Sequence, residues 1–88
     1  LGKPNPESFL LALERLNIAR NAPPILPAEC LVIEDSAAGV RGARAAGMAC
    51  LAVTNSYPPE ALQPANRIIA SFQEVRLDSL NALFEETV

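Results

Sequence analysis

Glu34, Asp35 and Ser36 place two adjacent carboxylates and a hydroxyl directly behind the apolar run Cys30-Leu31-Val32-Ile33. An oxygen-rich set of this kind suits Mg²⁺, a hard cation that takes a few carboxylates, waters and a substrate phosphate. A helix starting just beyond the set would add backbone N–H groups favourable to an anion. A plainer reading competes with this one: Asp35 or Ser36 caps the helix that follows, and Glu34 complements its dipole. Lys3 is the second candidate. Held in place, it would offset negative charge on a phosphoryl group and on a carboxylate nucleophile. Taken singly, it is a solvated charge like most lysines. Thr54, Asn55 and Ser56 follow the next apolar run, where they either line a pocket or make a turn. Gly39, Gly42 and Gly47 lack the spacing and the strand-to-helix placement of a dinucleotide-binding loop.

The elements that must position these residues follow from pattern. Asn5-Pro6-Glu7 reads as a helix start, with Asn5 as cap, Pro6 at the first helical position and Glu7 against the dipole. Phe9, Leu10, Leu13 and Leu16 then recur at helical spacing. Lys3 precedes a proline and is biased to extended backbone, so it sits on a loop ahead of that helix. Residues 17–29, with Pro23, Pro24 and Pro27, form an irregular connector. Cys30–Ile33 fits a strand buried on both faces. A helix follows over about Ala37–Ala46, with Val40 and Ala43 inward and Gly47 as the stop. Ala49–Val53 is a second buried strand, 54–59 a loop, Glu60–Gln63 a short helix ended by Pro64, and Arg67–Ala70 a third strand. Leu80, Leu83 and Phe84 mark a last amphipathic helix. Alternating helices and strands imply an α/β fold with right-handed crossovers and a parallel sheet of about three strands. Ligands in such sheets bind beyond the carboxyl ends of the strands, where Glu34, Asp35 and Ser36 lie.

Composition narrows the field. The chain has 88 residues, half of them hydrophobic and only 5% aromatic, which suits Ala-, Leu- and Val-rich helices on a buried parallel sheet. Its net charge of −3 argues against a nucleic-acid groove. The absence of His removes Ser-His and Cys-His pairs and most zinc sites. Cys30 and Cys50 each lie in an apolar run and read as buried free thiols, in keeping with a reducing, cytoplasmic compartment. No apolar run reaches membrane-spanning length and no signal peptide is evident, so no membrane partner is expected.

The stretch Gly2-Lys3-Pro4-Asn5-Pro6-Glu7-Ser8-Phe9 resembles the third motif of haloacid dehalogenase-like hydrolases. The stretch from Cys30 to Val40, continuing through Ala45-Ala46-Gly47-Met48, resembles their fourth. The likeness covers nearly the whole chain. Its Glu-Asp-Ser form is similar to the branch holding β-phosphoglucomutase and the phosphoglycolate and sugar phosphatases. The resemblance implies a Rossmann-like α/β core in which residues 1–88 are the C-terminal part. It also implies that Lys3 steadies an aspartyl nucleophile and the transferring phosphoryl group. Asp35 then helps to hold Mg²⁺, Glu34 joins it directly or through water, and Ser36 supports the pair from behind. The substrate implied is a small phosphorylated metabolite, passing through a phosphoaspartate.

The departures from the pattern carry their own expectations. The family's Asp-x-Asp motif is absent from these residues, as is the second motif with its Ser or Thr, and Asp35 and Asp78 are the only aspartates. The chain alone is therefore expected to have no turnover. The connector carries an extra Pro-Pro-Ile-Leu-Pro on the amino side of the first strand, expected to leave the site untouched. Without a nucleophile strand beside it, Cys30–Ile33 becomes a sheet edge, and either self-association through that edge or only partial order of the fragment is expected. Two other readings stay open. One is a non-catalytic binding or scaffold module. The other is a receiver-like signalling domain, which the order disfavours because Lys3 precedes Glu34-Asp35 rather than following it.

Overall fold

The computed structural model describes residues 5–71, Leu80 and Leu83. Lys3 and Phe84 lie outside the described residues. Helix α1 spans Glu7–Ala19. Its start follows the sequence, since Asn5 Oδ1 accepts the Glu7 N–H at 3.0 Å. Pro6 takes helical angles at the boundary, and its carbonyl accepts the Leu10 N–H. The helix runs further than its pattern suggests, through Asn17, which the sequence placed in the connector. The Asn17 amide bonds Ile25 in both directions. Its Nδ2 donates to the Ile25 carbonyl at 3.0 Å, and its Oδ1 accepts the Ile25 N–H at 2.8 Å. The connector is thereby tied to the last turn of the helix rather than starting from it. Leu13 is buried and Phe9 packs inward, whereas Leu10 and Leu16 are exposed.

Strand β1 spans Leu31–Glu34, which corrects the expected Cys30–Ile33. Pro27–Glu29 forms a 3₁₀ turn, and Cys30 closes it by donating its N–H to the Pro27 carbonyl. Cys30 enters the sheet only through its carbonyl, which accepts the Ala49 N–H at 3.1 Å. Helix α2 spans Ala37–Ala45, and β2 spans Ala49–Val53. A second 3₁₀ turn covers Pro59–Leu62, and β3 spans Arg67–Ile69. Helix α2 ends as its glycine requires. Gly47 has φ +81°, its N–H donates to the Arg44 carbonyl, and the Met48 N–H donates to that of Ala43.

The strands pair in parallel in the order β1-β2-β3. Leu31 lies opposite Ala49 and Glu34 opposite Ala52; further along, Val53 lies opposite Ile69. Strand β2 is central and wholly buried. Cys50 and Ala52 face Val40, Ala43 and Leu62 on one side, while Ala49, Leu51 and Val53 face Ile69 and Leu83 on the other. Leu80 is helical and packs on that second side, where a last helix was expected. The fold is thus the parallel three-stranded Rossmann-like sheet with flanking helices read from the sequence. One expectation for β1 fails. It is not buried on both faces: among the described residues it lies at the edge of the sheet, paired with β2 alone, and Ile33 is 51% exposed.

Gly42 governs how α1 sits on α2. A Cβ there would lie 2.9 Å from the Asn5 carbonyl oxygen and 3.1 Å from the Phe9 ring. Only a residue without a side chain lets the start of α1 rest on α2. Cys50 is buried, as expected, whereas Cys30 is half-buried, and both are free thiols. Burial, reinforced by Glu34 and partly opposed by Arg44, pushes the Cys50 thiol up to about 11. Burial and then Glu29 raise the Cys30 thiol as well. Among the described residues no helix is long and apolar enough to cross a membrane.

Candidate functional site

Beyond the carboxyl ends of β1 and β2 lies a cleft of about 240 Å³, lined by Ile33, Glu34, Asp35, Val53 and Asn55. Parallel pairing creates it, since Glu34 and Ala52 are register partners and both strands release their loops on the same side of the sheet. The polar part of the lining is two carboxylates and one carboxamide. None of the prolines and their neighbours in residues 23–27 lines it, as expected for an insertion on the opposite side of the strand.

The turn between β1 and α2 is built by its own polar side chains. Glu34 Oε1 accepts the Ser36 hydroxyl at 3.0 Å and the backbone N–H groups of Asp35 and Ser36 at 3.2 and 3.3 Å. Ser36 is the N-cap of α2, with φ −119° and ψ 149°, and its Oγ accepts the Gly39 N–H at 3.0 Å. The plainer of the two sequence readings therefore applies to Ser36, while Asp35 does not cap. Asp35 is exposed and borders the cleft. Gly39 makes room for this arrangement, because a Cβ at that position would overlap the Glu34 side chain. A glycine in the first turn of a helix lowers helix propensity, and close approach of another group is the usual compensation.

Of the residues singled out in sequence, Glu34, Asp35 and Ser36 come together on one turn, and Lys3 lies outside the described residues. By sequence, Asn55 reads together with Thr54 and Ser56 as either lining a pocket or making a turn. It is both a turn residue and part of the lining of the cleft, reaching it from the neighbouring strand's loop. The signal for it was positional, since it follows the carboxyl end of a strand that pairs in parallel with β1. Gly39 was noted as failing a dinucleotide pattern and as part of the stretch resembling the fourth motif, and its packing against Glu34 is not visible in a linear sequence.

The donor set agrees in kind with Mg²⁺. Carboxylate oxygens at a partly open cleft leave room for the waters that this ion retains, and neither thiol nor imidazole is among the lining residues. Glu34 is engaged within its turn, which leaves Asp35 as the carboxylate better placed for direct contact.

A parallel α/β sheet with an acidic turn at a strand's carboxyl end defines a Rossmann-like α/β core. The model of the haloacid dehalogenase-like hydrolase family matches residues 1–47, and the chain belongs to that family, on its β-phosphoglucomutase-like branch. Its relatives include phosphatases and a phosphomutase. The chain is 35% identical over 75 residues to validoxylamine A 7'-phosphate phosphatase of Streptomyces hygroscopicus subsp. limoneus, covering 85% of this chain and 32% of that protein. It is 32% identical over 74 residues to hexitol phosphatase A of Escherichia coli K12, covering 84% of this chain and 31% of that protein. A crystal structure of β-phosphoglucomutase from Clostridium difficile superposes with a TM-score of 0.73 at 30% identity, covering 96% of this chain and 33% of that one. The chain therefore spans about a third of the length of these relatives.

Proposed function

We propose that residues 1–88 are the C-terminal part of the core of a cytoplasmic, Mg²⁺-dependent phosphatase or phosphomutase acting on a small phosphorylated metabolite. The observation that carries this reading is Asp35, exposed at the carboxyl end of β1 and bordering a cleft beside a carboxylate already fixed in its turn. Asp35 is the direct cation ligand in this proposal. Glu34 holds the turn and reaches the ion through water, Ser36 locks Glu34 and starts α2, and Lys3 offsets charge on the transferring phosphoryl group. Bound Mg²⁺ supplies Lewis-acid stabilisation of that group. The nucleophilic aspartate, which would carry the phosphoryl group covalently, belongs to an Asp-x-Asp motif outside these 88 residues. The two free thiols fit a reducing compartment.

Two expected results follow. In the ¹⁵N-labelled chain, millimolar Mg²⁺ shifts the amides of Glu34, Asp35 and Ser36, and Asp35→Asn abolishes those shifts. Persistence of the shifts in Asp35→Asn would sink the assignment. The purified chain also releases no phosphate from phosphorylated sugars with or without Mg²⁺, because nucleophile and general acid are absent. Metal-dependent release would place the chemistry on residues other than those named.

The hydrogen bonds to Glu34 favour a second reading, a non-catalytic binding module in which the acidic turn serves only the fold. A chain that stays folded but silent toward Mg²⁺ would favour it.

The edge of β1, unpaired among the described residues, supports a further proposal for the 88-residue chain, self-association through Leu31–Glu34. Antiparallel pairing about a two-fold axis at Ile33 would set each Ile33 opposite its own copy and Val32 opposite Glu34 of the second copy, which keeps the two Glu34 carboxylates off one another. Beside the edge, Phe9, Ala12, Leu16 and Val32 line an apolar groove of about 200 Å³. Light scattering is expected to show mass rising with concentration, and Ile33→Lys to abolish the rise. A monodisperse monomer at high concentration would refute it.

A further inference from the structure

We propose that Asn55 is a positioning residue of the acidic cleft, its side-chain amide bracing Asp35 and the hydration shell of the cation that Asp35 takes. The inference rests on the Mg²⁺ reading above and extends it to a residue from a different strand. Glu34, Asp35 and Ser36 are consecutive, and their meeting needs no tertiary structure. Asn55 is twenty residues beyond Asp35 in the chain and reaches the cleft only because β2 pairs in parallel with β1. Its turn is anchored, since the Thr54 N–H donates to the Ile69 carbonyl at 2.9 Å and ties the end of β2 to β3.

The chemistry of the cleft calls for such a group. Two carboxylates bring a surplus of acceptors, and Glu34 Oε1 draws its donors from its own turn. Asp35 and Asn55 both line the cleft, from the loops that follow β1 and β2. A carboxamide offers two N–H donors and a carbonyl acceptor without net charge. Its nitrogen can orient a carboxylate, and its oxygen can accept from a water that Mg²⁺ retains. A lysine there would compete with the cation, and a third carboxylate would add repulsion in the metal-free state. Partners of this kind, which touch ligands or bound waters, set affinity by fixing ligand orientation.

Asparagine is also a favoured turn residue, so the test must keep the turn and remove the amide. Asn55→Gly does this. Mg²⁺ is titrated into the ¹⁵N-labelled wild-type chain, Asn55→Gly, Asn55→Gln and Asp35→Asn, following backbone amides and the Asn55 side-chain NH₂ pair. In the wild type, the NH₂ pair is expected to shift on the same isotherm as the Asp35 amide. Asn55→Gly is expected to weaken Mg²⁺ binding about tenfold, with Asn55→Gln restoring part of it. If Asp35→Asn abolishes binding while Asn55→Gly leaves the isotherm unchanged and the NH₂ pair stays still, the cation site stands and Asn55 is a turn residue only. If Asp35→Asn leaves binding intact, or the wild-type cleft is silent, the Mg²⁺ reading fails and this inference falls with it.

Discussion

Replacing Leu51 with alanine is expected to remove about 3 kcal/mol of stability and to bring the chain close to unfolding. Leu51 lies on the central strand, is 1% exposed, and packs with Ala49, Val53, Ile69 and Leu83 on the far side of the sheet from α1 and α2. Most of its neighbours are fixed by strand pairing on both flanks of β2, so the site cannot collapse around the lost atoms. Cavity cost therefore adds to the lost transfer energy. An 88-residue chain has total stability of roughly 4–13 kcal/mol at ordinary values per residue. The loss is a large share of that. In urea, a slope of about 1 kcal/mol/M converts it to a midpoint lower by about 3 M. Ile33→Ala is the comparison, because Ile33 is 51% exposed at the sheet edge. Its midpoint should hardly move. Equal shifts for the two variants would mean that the sheet does not have Leu51 at its centre. The measurement is made at two protein concentrations, since association through β1 would make the midpoint concentration-dependent.

The core was legible where sequence period and burial coincide. Val40 and Ala43 recur on one face of α2, and both are fully buried against Cys50 and Ala52. Ala49–Val53 is an unbroken apolar run, and its burial on both faces follows from its central place in a parallel sheet. Boundaries set by tertiary contact were less legible. Helix α1 continues to Ala19 because Asn17, a poor helix former, is held by Ile25 eight residues on. The start of β1 shifted because Pro27–Glu29 coils into a 3₁₀ turn that takes Cys30 as its end. The edge place of this strand was expected from its missing neighbour, but which of its side chains would be exposed was not, and Ile33 is that one.

The candidate site divides in the same way. Glu34, Asp35 and Ser36 are adjacent in the chain, and a strand followed by a helix places them at a carboxyl end without further information. Their separate duties were not legible. Ser36 caps α2, and Glu34 binds the turn. Both carboxylates line the cleft, and the hydrogen bonds that Glu34 takes from its own turn leave Asp35 as the one better placed for a ligand. The place of Asn55 depends on the pairing of β1 with β2, which is long-range information.

Gly42→Val is expected to cost about 2 kcal/mol and to move the start of α1 away from α2. Two effects of opposite sign meet at this position. A side chain in mid-helix regains part of the roughly 1 kcal/mol that glycine costs there, and valine, being β-branched, regains less of it than alanine. Against this stands a Cβ 2.9 Å from the Asn5 carbonyl oxygen, with the Phe9 ring at 3.1 Å. Backbone cannot rotate out of the way as a flexible side chain can, so α1 must shift. The contact that shifts is the one nearest the segment carrying Lys3, two residues before Asn5. On the proposed mechanism, Gly42→Val in the complete enzyme should lower phosphate release beyond what its lost stability explains, with Mg²⁺ binding at Asp35 unchanged. Urea denaturation of the chain and the amide shifts of residues 5–9 report the structural part. Turnover and Mg²⁺ affinity, measured well below the unfolding midpoint, report the functional part. If Gly42→Val is as stable as the wild type with unshifted amides at Asn5–Phe9, the close approach of α1 to α2 is not what glycine serves at this position. If α1 moves and turnover does not, Lys3 is a solvated lysine rather than the cation that meets the phosphoryl group.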